Sequence, residues 1–285
     1  MNYYIDTEFL EGPQKEKFPI SLFRKETKPT IDLISIGIVS EDGREYYAIY
    51  KDFNLEEAWN RFQMKQVYGD ARNRYPDGVK EYWIRENVLK PIWLELTSKE
   101  HGWNHKVLLE NLKGDFSDIK SMTFKNLKNL INKYGKTNGQ IAEEIKKFCG
   151  YDYGNGKYFR SFSNVLKNDW ETKYEDKLVS RTIETTKPVF YAYYADYDWV
   201  VFCWLFGKMM DLPKGFPMYC KDLKQDYDFF NTNFIERKKQ NAVGNIHKSI
   251  NELKDFKDYP KQENNHNALA DARWNKKLHE FLNKI

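Results

Sequence analysis

The 285-residue chain is 41% hydrophobic and 16% aromatic, with a net charge of +4. A chain of this length and composition is expected to bury a substantial core, which excludes disorder as its dominant state. The mild positive charge permits a nucleic-acid partner without requiring one.

The first 53 residues predict three antiparallel strands. The opening strand, "YYIDTEFL", places Asp6 and Glu8 on one face, because side chains alternate along a strand. "IDLISIGIVS" predicts a buried second strand, and the turn "EDG" leads into a third, "REYYAIYKDF". Two like charges on a half-buried face repel unless a cation or a proton neutralises them. The opening strand therefore indicates a metal site.

The middle of the chain is predicted to be mostly helical. Residues 95–185 are rich in Lys and Asn, and we interpret them as a largely helical insertion within a single domain spanning residues 1–285. Two roles fit this composition: the insertion either shapes a substrate channel or presents a solvated helical surface.

Strand character returns at "KPVFYAYYADYDW", which passes into an apolar helix closed by Gly207. "MYCKDL" predicts a fifth strand. Asp196 and Asp198 both lie near the strand–helix junction, where each also fits the role of an ordinary helix N-cap.

The chain ends in a predicted amphipathic helix, with Asn264 or Asn265 as its N-cap. Asp271 falls on the apolar stripe of this helix, where a carboxylate needs a partner. His266 precedes it by five residues, so that both side chains can turn toward a common point.

The cellular location follows from three negative observations. The three cysteines are widely spaced and form no CxxC pair, which argues against a disulfide framework and indicates a reducing compartment. Acidic residues interrupt the start of the chain, where a signal peptide needs an apolar core. No apolar run reaches membrane-spanning length. We therefore expect a cytoplasmic protein without a membrane partner.

Three motifs stand in the order Asp-x-Glu, Asp, His-x4-Asp: "IDTEF", "YADYDWV" and "HNALADA". They resemble the motifs of the DEDDh (DnaQ-like) 3'-5' exonucleases, a branch of the ribonuclease-H-like fold. "LISIGIVSEDGREYYAIY", "WIRENVLKPI" and "CKDLKQ" look like the compact bacterial exoribonuclease branch, so the similarity covers about half of the chain. The resemblance implies an α/β fold with a mixed five-stranded sheet flanked by helices.

The resemblance also implies a catalytic set and two divalent cations, Mg2+ or Mn2+. All-oxygen ligands without sulfur suit such hard cations. Asp6 is expected to bridge both ions, Glu8 and Asp271 to complete the site beside the attacking water, and Asp198 to bind the second ion through water. His266 is the expected general base, since imidazole titrates near neutral pH. We choose Asp198 over Asp196 because it stands immediately before the apolar helix.

Three further residues are candidates for substrate binding. Thr7, Phe9 and Trp199 each stand beside a catalytic carboxylate. The rings of Phe9 and Trp199 could stack on terminal bases, and core packing explains them equally well.

The leading hypothesis is a 3'-5' exoribonuclease acting on single-stranded RNA or RNA 3' overhangs and releasing nucleoside 5'-monophosphates. A 3'-5' DNA exonuclease of the proofreading or repair type is the rival within the enzyme class, because no residue decides recognition of the 2'-hydroxyl. A non-catalytic nucleic-acid-binding module on the same fold is the alternative from another class. A ribonuclease-H-type endonuclease shares the carboxylates but does not require His266. The compact relatives also suggest a homodimer.

Overall fold

The computed structural model describes residues 1–16, 19–65, 78–102, 122–152, 157–164, 179–184, 187–240 and 252–284. Its strands are β1 (Asn2–Gly12), β2 (Thr30–Ser40), β3 (Glu45–Ile49), β4 (Gln63–Lys65), β5 (Val79–Glu81), β6 (Tyr151–Asp152), β7 (Lys157–Asn164), β8 (Val179–Glu184), β9 (Val189–Ala192) and β10 (Lys221–Asp222). Its α-helices are α1 (Leu55–Asn60), α2 (Lys90–His101), α3 (Phe124–Tyr134), α4 (Asn138–Phe148), α5 (Ala195–Leu205), α6 (Leu223–Gln240) and α7 (Ala268–Leu282).

Five strands form the central sheet, in the order β10-β9-β1-β2-β3. Strand β1 pairs antiparallel with β2 and parallel with β9, so the sheet is mixed. The three antiparallel strands at the start of the chain, the return of strand character before α5 and the short fifth strand are all confirmed. The α/β architecture with a mixed five-stranded sheet is consistent with a ribonuclease-H-like fold.

Alternation along β1 divides its side chains between two layers of core. Tyr3 and Ile5 pack in a cluster with residues of α4 and α5. Tyr4 packs in another cluster, with Trp274 and Leu278 of α7. Tyr4 therefore faces α7, and the same alternation places Asp6 and Glu8 on that face, before the register shifts after Glu8.

Part of the segment interpreted as an insertion belongs to the main core. Leu127 and Ile131 of α3 pack with Ile34 of β2 and Leu10 of β1. Helix α4 packs on the other layer. Beyond α4 the described residues up to 184 form β6, β7 and β8, a small antiparallel sheet, so the described helices of residues 95–185 all lie before residue 149. That these residues are an insertion stays a prediction.

The start of the last helix differs from the prediction. Asn267 is the N-cap of α7, and its side-chain oxygen accepts a hydrogen bond from the Ala270 N–H at 3.1 Å. Neither Asn264 nor Asn265 caps the helix. The backbone is left-handed at Asn264 and again at His266, with φ of 53° and 66°, so a right-handed helix cannot begin before residue 267.

Across the described ranges, no helix combines the length and the apolar character needed to cross a bilayer.

Candidate active site

Strand β1 brings two carboxylates to the face that α7 covers. Asp6 and Glu8 are both half-buried there. The register between β1 and β2 shifts immediately after Glu8, because Glu8 pairs with Ser35 whereas Phe9 pairs with Leu33. Such a bulge bends and twists a strand, and bulges are common beside active sites.

Helix α7 delivers the third carboxylate. Asp271 is buried in its first turn, and one turn later the Asn275 side chain donates to the Ile5 carbonyl of β1 at 2.8 Å. Gly37, the cross-strand partner of Asp6, permits this close approach. A Cβ added at Gly37 would lie 2.3 Å from the Ala268 carbonyl oxygen, so only glycine fits beneath the start of α7.

The fourth carboxylate comes from the first turn of α5. Asp198 is buried, and one of its oxygens accepts the Thr7 backbone N–H at 2.8 Å and the Thr7 hydroxyl at 2.6 Å. These bonds tie α5 to β1 one residue from Asp6. Asp196, by contrast, is exposed at the rim. The burial therefore agrees with the choice of Asp198 over Asp196.

His266 lies at the entrance to α7. Its backbone N–H donates to an Asp271 carboxylate oxygen at 2.8 Å, which holds the left-handed backbone at this residue. The side-chain amide of Gln262 donates to the other Asp271 oxygen at 2.5 Å. The imidazole packs edge-on against Trp83, with 4.6 Å between ring centroids.

All five residues predicted to be catalytic line one cleft of about 650 Å³. Ligand oxygens of Asp6, Glu8 and Asp271 lie within 4.8 Å of one another. Asp198 lies outside this triplet but opens onto the same cleft. Residues separated by up to 265 positions in sequence thus converge on one point.

Burial raises the pKa of every carboxyl group in this cluster, and neighbouring carboxylates raise the pKa values of Asp6, Glu8 and Asp198 further. Burial, followed by the charges of Asp271 and Asp198, raises the pKa of Glu8 to about 8. Burial also raises the pKa of Asp198 to about 7, although both hydrogen bonds from Thr7 oppose the rise. The pKa of Asp6 lies well above its usual value, because of burial and then the charge of Asp198. Burial raises the pKa of Asp271 against the bonds from Gln262 and His266.

The cluster has the chemistry of a cation site. Within the described ranges, none of its four carboxylates forms an ion pair with a lysine or an arginine. The repulsion is therefore relieved either by protons or by bound cations. Clustered carboxylate oxygens are the ligands that Mg2+ and Mn2+ prefer, so the residues present fit the divalent cations expected from the sequence.

The three candidate substrate-binding residues occupy different surroundings. Thr7 is buried and engaged with Asp198. Phe9 lines the cleft, edge-on to Tyr197. Trp199 is buried in the core, stacked on Phe202, and its indole N–H donates to the Met218 carbonyl at 3.2 Å. Core packing, one of the two interpretations of Trp199, accounts for its position.

Sequence reasoning missed several residues of the cleft. Gln262 and Trp83 reach the site through long-range packing that no local pattern encodes. Asn275 could have been found from the sequence, since it stands four residues after Asp271 and so shares its helical face. Tyr194 could also have been predicted to lie near the site, because it directly precedes the helix that carries Asp198.

The raised pKa values predict an unusual dependence of stability on pH. A carboxyl group with a raised pKa binds more protons in the folded than in the unfolded protein, so the free energy of unfolding falls as pH rises. In EDTA we expect Tm to decrease from pH 6.5 to about pH 8, which is the upper part of the interval between the ordinary carboxyl pKa and the raised pKa values of Glu8 and Asp198, and to level off above it. At pH 8.5, Mg2+ at 100 times its Kd should raise Tm by about 5–10 °C.

Differential scanning fluorimetry measures both effects. The lowered pKa of His279 acts in the opposite direction, but mainly below about pH 6.5. A Tm that is constant or rising over this pH range in EDTA would contradict the account of the cluster.

Comparison with known proteins adds a local sequence match. The chain is 45% identical over 58 residues to a 3'-5' exoribonuclease found in two strains of Mycobacterium tuberculosis. The match covers 20% of this chain and 26% of each relative, so it spans about a quarter of the curated proteins. No family model matches the sequence. In part of its length, this chain is therefore similar to 3'-5' exoribonucleases.

Proposed function

We propose that this protein is a metal-dependent 3'-5' exoribonuclease of the DEDDh type, which hydrolyses single-stranded RNA or RNA 3' overhangs to nucleoside 5'-monophosphates. The observation that carries the proposal is the convergence of Asp6, Glu8, Asp198, His266 and Asp271 on one cleft. The local similarity to named 3'-5' exoribonucleases supports the same reaction class.

The carboxylates are the proposed cation ligands. Asp6, Glu8 and Asp271 would hold one Mg2+ or Mn2+, and Asp6 with Asp198 would hold a second. When bound, such cations make water a stronger nucleophile and neutralise the charge that develops on a phosphate. Without them, the four clustered carboxylates would repel a phosphodiester, so the cleft as folded favours a cation-dependent reaction.

In this proposal, a side chain of the protein accepts the proton of the attacking water. In the proposed reaction, a water oxygen attacks the terminal phosphorus and the bond to the 3'-oxygen of the preceding nucleotide breaks. His266 accepts the proton of the attacking water, and the departing 3'-oxygen takes up a proton from solvent. Asp271 and Trp83 position His266, one through its backbone N–H and the other through its ring.

A time course with 5'-labelled RNA and DNA of one sequence, in Mg2+, Mn2+ or EDTA, tests the function. We expect a metal-dependent ladder that shortens from the 3' end of RNA. Faster shortening of DNA would favour the DNA exonuclease, and internal cuts would favour a ribonuclease-H-type endonuclease. Binding without shortening in any metal would leave only the non-catalytic module.

Thr7→Val is expected to lower kcat about tenfold, because it removes the hydroxyl that orients Asp198 while keeping the shape of the side chain. Thr7→Ser keeps the hydroxyl and is the matched control. Steady-state kinetics on a short RNA would measure both variants. Equal activity of the valine and serine variants would show that this hydrogen bond does not position Asp198.

A further inference from the structure

Helix α5 carries an apolar stripe on its outer face. Tyr197, Val200 and Trp204 follow the helical spacing i, i+3, i+7 and are between 37% and 46% exposed. The opposite face of α5 packs into the core through Trp199 and Phe202. Core packing therefore does not explain this outer stripe, which we call the α5 stripe.

The α5 stripe begins in the catalytic cleft. Tyr197 lines the cleft, and so does Asp198, the next residue along the helix. The Tyr197 ring is held in place, because its hydroxyl donates to a Glu11 carboxylate oxygen at 3.2 Å and its edge contacts Phe9 at 5.6 Å between centroids. The first member of the stripe is thus a fixed aromatic surface at the cleft wall.

Tyr194 adds a second aromatic ring at the mouth of the cleft. It is 64% exposed and lines the cleft, and its backbone is left-handed with φ of 59°. Glycine or asparagine adopts this conformation at lower cost, so the tyrosine holds a backbone conformation that its residue type disfavours. The Asp222 carboxylate stabilises the turn by accepting the Tyr194 N–H at 3.2 Å.

The far end of the stripe is the indole of Trp204. Among the residues that the structure describes, no aromatic ring or cation contacts the Trp204 ring. Helical rise places Trp204 about 10 Å along the axis from Tyr197. About three stacked nucleotides cover this distance, at roughly 3.4 Å each.

The carboxylates around the stripe exclude phosphate pairing as the source of affinity. Asp196 lies beside Tyr197, and Asp222 and Asp226 line the adjoining cavity together with Val200. The cation in that cavity, Lys221, donates to the Tyr191 hydroxyl at 3.3 Å. The aromatic and apolar side chains of the stripe suit the faces of nucleobases, which stack on aromatic rings without sequence preference, so stacking has to supply the affinity.

We propose that the α5 stripe is a stacking track for single-stranded nucleic acid, which receives the bases that precede the scissile nucleotide. The proposal rests on the proposed function, since the cleft defines where the 3' end lies. Its occupant is an oligonucleotide of about four residues or more. A dinucleotide is too short to reach Trp204.

The test compares Trp204→Ala and wild type on an RNA dinucleotide and an RNA decamer with the same 3' end. We expect KM for the decamer to rise about tenfold, the loss that follows removal of one stacking ring, with kcat unchanged. KM for the dinucleotide should not change. Trp204→Phe should restore most of the decamer affinity. The increase should be the same at low and high salt, because stacking releases no counterions.

Phe229→Ala is the matched control, because Phe229 is an exposed aromatic residue on α6, outside both cavities. It should leave both KM values unchanged. Equal effects of Trp204→Ala on dinucleotide and decamer, or no effect on either, would overturn the proposal. So would a change in oligomeric state measured by light scattering, since the stripe would then be an interface between copies of this chain.

Binding measured separately distinguishes this proposal from the proposed function. Fluorescence anisotropy of a labelled decamer reports affinity without turnover. A wild-type protein that binds the decamer in a Trp204-dependent way but never shortens it would contradict the exoribonuclease and support the track. A protein that shortens RNA with no contribution from Trp204 would support the exoribonuclease alone.

Discussion

Replacing Asp6 with asparagine is expected to reduce hydrolysis by about a thousandfold or more while making the metal-free protein more stable at pH 8. Asp6 is the proposed bridging ligand, and metal assistance supplies several kcal/mol of transition-state stabilisation. The same substitution removes one of four mutually repelling carboxylates, whose repulsion is part of what raises the pKa of Asp6. Activity assays and thermal denaturation in EDTA measure the two effects.

The opposite signs of these two effects make the prediction specific. A substitution that merely damages the fold lowers activity and Tm together, whereas loss of a cation ligand lowers activity and raises the metal-free Tm. Asp196→Asn is the comparison variant, because that side chain is exposed at the rim, and it should retain activity within about threefold. An Asp6→Asn variant that remains active would remove the basis of the proposed mechanism.

Gly37→Ala is expected to lower activity at least about a hundredfold and to lower Tm by about 5 °C. The added Cβ would lie 2.3 Å from the Ala268 carbonyl oxygen and 2.4 Å from the Leu269 Cα. Both neighbours are backbone atoms, so α7 must move outward by about 1 Å, at the cost of an overpacked core. That movement carries Asp271 away from Asp6, and a misplacement of about 1 Å can cost a hundredfold in rate.

Gly139→Ala provides the control for the glycine substitution. Gly139 lies in α4 with no atom within 4 Å of an added Cβ, so alanine should be neutral or slightly stabilising there. Thermal denaturation and steady-state kinetics would compare the two variants. A Gly37→Ala protein with wild-type Tm and activity would show that the contact between α7 and β2 does not position the site.

The sequence predicted those parts of the site that follow from local periodicity. Alternation along β1 placed Asp6 and Glu8 on one face, and the helical stripe placed Asp271 among apolar residues. Both patterns identify a carboxylate because it stands where an apolar residue is expected. A single sequence is enough to show this. The motif order then linked these residues to Asp198 and His266.

The remaining parts depend on long-range packing and on backbone conformations that residue type does not fix. The left-handed backbone at His266 moves the N-cap to Asn267, and nothing in "ENNHNALADA" distinguishes its three possible asparagine caps by pattern alone. Gln262 reaches Asp271 from an irregular segment. The importance of Gly37 follows from the passage of α7 over β2, a contact between segments more than 200 positions apart.

Dependence on long-range pairing also explains why the strands in the middle of the chain could not be predicted from the sequence. Helix α4 agrees with the predicted helical middle, and its buried residues Ile141 and Ile145 repeat at one helical turn. The strand formed by "KYFRSFSN" was not predicted, and its aromatic residues do not alternate regularly with its polar ones. Strand formation depends on a partner, and the partner β8 lies beyond a segment outside the described residues.

Titration of the protein with Mn2+, followed by electron paramagnetic resonance at pH 8, is the most direct test of the carboxylate cluster as a cation site. The account predicts stoichiometric Mn2+ binding by the wild type, weaker binding at pH 5.5 where protons compete for the same oxygens, and loss of binding in Asp6→Asn. Absence of Mn2+ binding by the wild type at pH 8, or binding that Asp6→Asn leaves unchanged, would contradict it.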